Sequence, residues 1–330
     1  METDTDRTGS ALGVAASRNG VIPSVVISLD FELRWGLHDR LGANMEAYRE
    51  NLENVQGVVP ALLQLFSDHG LRATWACVGA LACANWSEYF SRAPTPPHYH
   101  NPRLAMAPGY ADLDPEGRLH FAPKLLQYVK NTPGQELATH TFSHIYMQEP
   151  GVTSADITAD LEAVSLLWTD QFGSPPKSLV FPRNQHAFLP VITDSTVKIW
   201  RGPEASWLHN RNRDSTIFSI HRPLRLLESL NPLVRHATRL QDGEGLAMTR
   251  ASLFLRTNLP GPAWNLHMMR IRGELNRLRP EEIFHIWWHP HNLGEFTKER
   301  LTRVEQVLEA IAERKARNLL ETRCMEDLVL

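Results

Sequence analysis

Val25-Val26-Ile27-Ser28-Leu29-Asp30-Phe31-Glu32 is the stretch from which the fold can be read. An apolar run that ends in acids reads as a buried parallel strand delivering two carboxylates at its carboxyl end, where α/β folds place their chemistry. Alternate side chains of an extended segment share a face, so Asp30 and Glu32 lie together and Phe31 points away. Further along, the chain reads His140-Thr141-Phe142-Ser143-His144. The two imidazoles, four residues apart, converge if this segment turns helically. Two imidazoles and one carboxylate make a three-ligand metal site with an open position, which leaves the other carboxylate free to act as a base.

Strand-like and helical patterns alternate outward from this core. Leu52–His69 carries a one-sided stripe of Val55, Val59, Leu62, Leu63 and Phe66, and Gly70 is placed to end it. Arg72–Val78 and Glu136–Thr139 read as the next strands, the latter leading into His140. Thr153–Phe172 reads as a helix closed by Gly173, and Ser178–Phe181, Thr196–Trp200 and Ile283–Trp288 as further strands before a last helix from Thr297 to about Arg314. Repeated βα units of this kind predict a mainly parallel α/β sheet, open or closed into a barrel. Two stretches break the rhythm. Proline-studded Ser91–Pro123 and the mixed region 201–280, with a helical candidate at Leu224–Leu240, are expected to be insertions over the mouth of one domain spanning 21–330. Residues 1–20 read as a disordered tail.

The bulk numbers describe an ordinary globular chain. Its 330 residues are 42% hydrophobic and 22% charged, with a net charge of −3. Such a balance offers no electrostatic footprint for nucleic acid or an anionic membrane, and argues for a small or neutral substrate. No run approaches the roughly 20 apolar residues of a membrane span. The amino terminus lacks the basic start and apolar stretch of a signal peptide, so a cytoplasmic location is expected. Cys77, Cys83 and Cys324 lack metal-type spacing.

The segments Ser28-Leu29-Asp30-Phe31-Glu32, His140-Thr141-Phe142-Ser143-His144, Phe181-Pro182-Arg183 and Trp287-Trp288-His289 resemble the successive motifs of the NodB-homology polysaccharide deacetylases, carbohydrate esterase family four. The resemblance spans roughly Ser24 to Leu293. It implies a distorted (β/α) barrel of about seven parallel strands and one divalent metal, most often Zn2+, with Co2+, Mn2+ or Ni2+ as alternatives. It also implies that Asp30 is the catalytic base, that His140 and His144 bind the metal, that Arg183 pairs with the base, and that His289 is the general acid. The family's usual second aspartate is replaced here by Phe31. Strand alternation makes Glu32 the substitute ligand. His289 and His291 share a face, which leaves the choice of acid open. Trp35, Trp288, Asn184 and His291 are the candidates for substrate contact. The turn Arg183–Gln185 is a candidate source of an oxyanion-binding amide.

The expected activity is removal of an N-acyl group, N-acetyl first, from an amino sugar or sugar-containing small molecule in glycan or natural-product biosynthesis. For a non-exported member, a free, nucleotide-linked or lipid-linked sugar fits better than a cell-wall polymer. Removal of a formyl group and hydrolysis of a non-sugar C–N bond are the rival chemistries. An inactive carbohydrate-binding homologue is the non-enzymatic rival.

Overall fold

The computed structural model describes residues 22–37, 44–105, 110–206 and 218–330. The tail expected over 1–20 lies outside them, as do 106–109 and 207–217 within the two stretches read as insertions. The strands are β1 (Ser24–Phe31), β2 (Ala73–Cys77), β3 (Gln135–Thr139), β4 (Ser178–Val180), β5 (Ile199–Gly202), β6 (Gln241–Asp242), β7 (Ala247–Arg250), β8 (Leu253–Phe254), β9 (Ile283–Trp288) and β10 (Glu321–Arg323). Every residue of β1 is buried, as its largely apolar sequence requires of a central parallel strand. The hydrogen-bonded path runs β6-β7-β5-β4-β3-β2-β1-β9-β8, with β10 beside β1. All the ladders are parallel except β6 with β7.

The path closes through one short piece of chain. β7 pairs with β5 and β8 pairs with β9, and only Ala251 and Ser252 separate them. Ala251 N donates to Gly202 O (3.0 Å) and Ser252 N to His285 O (2.8 Å), so Ala247–Phe254 joins the two ends of the path. Taking β7 and β8 as one interrupted strand, seven parallel strands surround the axis, as the resemblance implies. The region 201–280 is therefore not simply an insertion, because it supplies the closing strand. Ala247-Met248-Thr249-Arg250 has no apolar run, which is why it does not read as a barrel strand. The helix in this region is Phe218–Leu230 and ends before Asn231-Pro232, short of the expected Leu240.

The outer helices fall where the apolar stripes predict them. Val55–Asp68 buries Val55, Val58, Val59, Leu62, Leu63 and Phe66. Ser154–Phe172 starts on a capping box formed by Thr153 and Asp156 and ends at Gly173 in the left-handed region (φ +79°). Thr297–Ala316 covers the same core. No helix among the described residues is long and apolar enough to cross a membrane.

Inside the barrel, the pleat sorts residues into layers. Val26, Ala76, Ala138, Val180, Ile199 and Ile283 form a small apolar layer together with Met325. Moving toward the carboxyl ends, the inward positions become polar: Ser28 and Asp30 on β1, His140 after β3, Arg201 on β5 and His285 on β9. All are buried, and buried polar groups need partners. For Ser28, Asp30, Arg201 and His285 those partners are one another.

Candidate active site

Glu32 follows β1 directly, and His140 follows β3 directly, so the parallel register brings both to one end of the barrel. Glu32 Oε2 lies 3.1 Å from His144 Nε2 and 3.4 Å from His140 Nε2. One ligand atom from each of the three buried residues lies within 4.8 Å of the others. His140 Nδ1 meets Val180 O at 2.8 Å, and because a carbonyl only accepts, that nitrogen carries the proton. In the neutral ring, Nε2 is then a bare lone pair facing a carboxylate. Such a donor set repels itself unless a cation stands within it, and it suits a divalent metal. Burial raises the Glu32 carboxyl pKa, but the charge of His289 and hydrogen bonds to His140 and His144 outweigh it and hold the group well below its ordinary range.

The His140–His144 segment does not turn helically, as the spacing predicts; it is a loop in which Thr141 (φ +64°) and His144 (φ +56°) take left-handed conformations. Such residues cost about 1–3 kcal/mol each and persist where surroundings fix them. Asp160, on the helix Ser154–Phe172, does the fixing. Its carboxylate accepts from Phe142 N (2.6 Å), Ser143 N (3.1 Å) and Ser143 Oγ (2.5 Å). Burial pushes the Asp160 carboxyl up to about 6, against these hydrogen bonds. On the other side, a Cβ at Gly36 would stand 2.2–2.5 Å from the carboxyl atoms of Glu32, so only glycine leaves room for that side chain. Gly36→Ala is accordingly expected to displace Glu32 and lower metal affinity about 10–100-fold, the scale of a disturbed supporting shell. Competition with a chelator of known affinity measures this, and unchanged affinity would mean that Glu32 is not a ligand.

Asp30 has a different partner from the one the motif resemblance implies. Arg201 Nη1 and Nη2 donate to its two oxygens, each at 2.7 Å, in a buried bidentate pair. The same guanidinium donates to Ser28 Oγ (2.9 Å) and Asn184 Oδ1 (2.9 Å). Arg183 turns away: its guanidinium stacks on Tyr146 (3.8 Å) and stands 3.8 Å from Glu149. Arg183 and Asn184 are both left-handed (φ 56° and 53°), and this twist sends the Asn184 side chain, not that of Arg183, to Arg201. The Asn184 and Gln185 amides bond within their own turn, to Phe181 O and Pro182 O, so neither is free to receive an oxyanion. Burial raises the Asp30 pKa, and Arg201, with help from His140 and His289, overcomes it and leaves the carboxyl below its ordinary value.

A further layer supports this pair. Ser28 Oγ accepts from Arg201 and shares a hydrogen bond of 2.8 Å with His285 Nε2. His285 is fully buried, and burial together with the charge of Arg201 pushes its pKa well below that of an ordinary histidine. Its other nitrogen faces Thr249 Oγ1 at 3.4 Å.

His289 completes the site. Its Nε2 lies 3.4 Å from Glu32 Oε1 and 3.9 Å from Asp30 Oδ2. His291 is buried beside the rings of His289 and Tyr48 (centroids 5.1 and 5.7 Å away) and makes no ion pair with either acid. Neither tryptophan chosen from sequence lines the opening. Trp35 is fully buried, donates from Nε1 to His120 O (2.6 Å) and packs on Trp86 and Tyr89. Trp288 is buried against Phe66 in the outer core. Trp287 takes the inner position: Arg201 stacks on its ring (4.3 Å), and Phe254 (4.7 Å) and His289 (5.8 Å) flank it. The pleat requires this, since 287 and 289 share a face and 288 does not.

Part of the proline-rich stretch stands beside the site. Pro94–Pro97, Tyr99 and Leu104 line a small cavity with Ser143, His144 and Ile145. Tyr146 N donates to Tyr99 Oη (3.1 Å) and His100 N to Pro150 O (2.9 Å), tying the stretch to the loop that carries His144.

No family model matches the sequence, and no curated protein is similar to it in sequence. Solved structures do match. A polysaccharide deacetylase of Mycobacterium smegmatis is 16% identical, covering 95% of this chain and 91% of its own, with a TM-score of 0.53. A probable polysaccharide deacetylase of Pseudomonas aeruginosa is 11% identical over 93% of this chain and 90% of its own, with a TM-score of 0.52. The allantoinase PuuE is 12% identical over 99% and 96%, at 0.53. The fold is thus the NodB-like distorted barrel of carbohydrate esterase family four. An allantoinase and deacetylases match it equally well, so the reaction has to be argued from the site.

Proposed function

We propose that this protein is a metal-dependent N-deacylase that removes an acyl group, most simply acetyl, from an amino sugar or sugar-containing small molecule. The observation that carries this reading is the division of labour between two carboxylates on one strand end: Glu32 faces two histidines, Asp30 faces an arginine, and His289 stands within reach of both. Glu32, His140 and His144 would hold a divalent ion, which we take to be zinc; when bound, it contributes Lewis-acid polarisation of the amide carbonyl and of water.

The other steps belong to the chain. Asp30 is kept ionised by Arg201 and accepts the proton of the attacking water through a lone pair that the arginine leaves free. Arg201, itself held by Ser28 and Asn184, fixes the direction in which that carboxylate points. His289, as imidazolium, gives its proton to the departing amine; it is preferred to His291 because its Nε2 faces Glu32 (3.4 Å) and Asp30 (3.9 Å). Trp287 and Phe254 offer an aromatic wall on which the sugar ring can lie.

The test is to load the purified protein with zinc and follow acetate, formate or ammonia release from N-acetyl sugars, their nucleotide conjugates, N-formyl analogues and a cyclic ureide such as allantoin. Acetate release from the sugars is expected. Turnover of the ureide alone would make the protein an amidohydrolase of a non-sugar C–N bond. Turnover of nothing, without stoichiometric metal, would make it a binding protein.

The acid has its own test. His289→Ala is expected to slow amide hydrolysis by about 10²–10⁴-fold, the usual contribution of a general acid. It should spare p-nitrophenyl acetate, whose phenolate departs without protonation. Equal losses on both substrates, or a larger loss in His291→Ala, would remove His289 from the role.

A further inference from the structure

The rim of the site beyond Trp287 carries a cation, Arg256, whose guanidinium has no hydrogen-bond partner among the described residues. Phe254 ends β8 with its ring 5.9 Å from that of His289. Two residues on, and so on the same side of the extended chain, the guanidinium of Arg256 stands 5.4 Å over the Phe254 ring. The side chain is half-buried. Its Nε is closed off from solvent without a hydrogen-bond partner, and among the described residues the guanidinium makes no ion pair. Among the described residues only the Arg256 backbone is hydrogen-bonded, its N–H meeting His267 Nε2 at 3.3 Å.

Neighbouring arginines differ in this respect. Arg201 is saturated by Asp30, Ser28 and Asn184. Arg270 reaches Glu228 O and His236 Nδ1. Glu204 lies close by, but its Oε1 already accepts from Trp287 Nε1 (3.1 Å) and Phe254 N (3.1 Å). A guanidinium does not lose its proton, so its partial burial beside Arg225, which the charge of Glu204 offsets only in part, is a standing cost. An incoming anion removes that cost, and the planar fork matches phosphate or carboxylate oxygens in pairs.

We propose that Arg256 receives an anionic group of the substrate, a phosphate or a carboxylate, so that the N-acyl compound processed here is an acidic one. The inference deepens the deacylase reading and rests on it, since the anion is placed relative to Trp287, Phe254 and His289.

Calorimetry on the zinc-loaded protein compares N-acetylglucosamine, N-acetylglucosamine 1-phosphate and N-acetylmuramic acid. At least one acidic ligand is expected to bind about tenfold or more tighter than the neutral sugar, the scale of hydrogen bonds to a charged group. The arm that shows the preference identifies phosphate or carboxylate as its source. Arg256→Met, which keeps the apolar stem on Phe254, should erase the preference without weakening the neutral sugar, and Arg256→Lys should retain part of it. Because the guanidinium makes no hydrogen bond or ion pair among the described residues, the melting temperature of Arg256→Met should stay within a few degrees of the parent. Equal binding of all three ligands by the parent, or a preference that survives Arg256→Met as binding to the metal would, overturns the proposal. Arg256-dependent binding of an acid that is never deacylated would uphold the subsite and sink the deacylase reading. Equal turnover of neutral and acidic amides would do the opposite.

Discussion

Arg201→Ala is expected to destabilise the protein by about 3–5 kcal/mol, because it leaves Asp30 buried in the barrel without its counter-charge. Asp30 and Arg201 both lie inside the barrel, their side chains 4% and 0% exposed, so water cannot replace the lost guanidinium. Three partners are stranded at once: Asp30, Ser28 and Asn184. Activity should fall by at least about a hundredfold, since a base that is no longer oriented forfeits most of its contribution. Arg201→Lys should recover little, because an ammonium cannot make the paired contact. Arg183→Ala should cost less than Arg201→Ala, because the Arg183 side chain is 26% exposed and water can take its place beside Tyr146 and Glu149.

Acid sensitivity follows the same pair. The Asp30 pKa is lowered in the fold, so its stabilisation is fully present above the ordinary aspartate range and is lost as pH falls through the folded value. Arg201→Ala should therefore flatten the acid limb of stability against pH. Denaturant unfolding across pH, with kcat/KM on the best substrate, tests all of this. An Arg183 variant as damaged as the Arg201 variant would restore the arginine that the motif resemblance implies.

That contrast shows how far the sequence could be read. β1 and β9 are legible because a buried parallel strand is largely apolar, β3 (Gln135–Thr139) is legible mainly as the short segment leading into His140, and the acids and histidines at their ends follow by adjacency. The residues proposed as base, acid and metal ligands, Asp30, Glu32, His140, His144 and His289, do gather at one end of the barrel. Arg201 is hidden because its partnership depends on which strands become neighbours: β5 reaches β1 only across the interior of a closed barrel. Arg183 occupies the expected place in the motif, and the left-handed φ of two successive non-glycine residues, which no pattern announces, turns it outward. Trp287 was within reach of sequence reasoning, since the alternation that turns His289 inward also selects Trp287 over Trp288. Asp160 and Gly36 act through a helix face and a close approach, and neither leaves a local signature. The closing strand Ala247–Phe254 fails to register for another reason: half of it pairs with β5 and half with β9, so neither half is long enough to stand out.

The two carboxylates should fail in opposite ways. Glu32→Ala removes an anionic ligand and leaves two imidazoles, which rarely hold zinc tightly, so the purified variant should contain little metal and show no turnover. Elemental analysis decides this part. Asp30→Asn retains the shape of the side chain, and its amide oxygen can still accept from Arg201, but it cannot take a proton from water. The variant should keep its metal and lose about 10²–10⁴-fold in kcat, with KM little changed, because the missing function operates only in the transition state. Loss of the negative charge beside Arg201 should also lower stability, though by less than Arg201→Ala, because the amide preserves one hydrogen bond. Metal retained by Glu32→Ala together with metal lost from Asp30→Asn would exchange the two roles. It would mean that the acid nearest the histidines in space is not the one that binds, and that Arg201 orients a ligand and not a base.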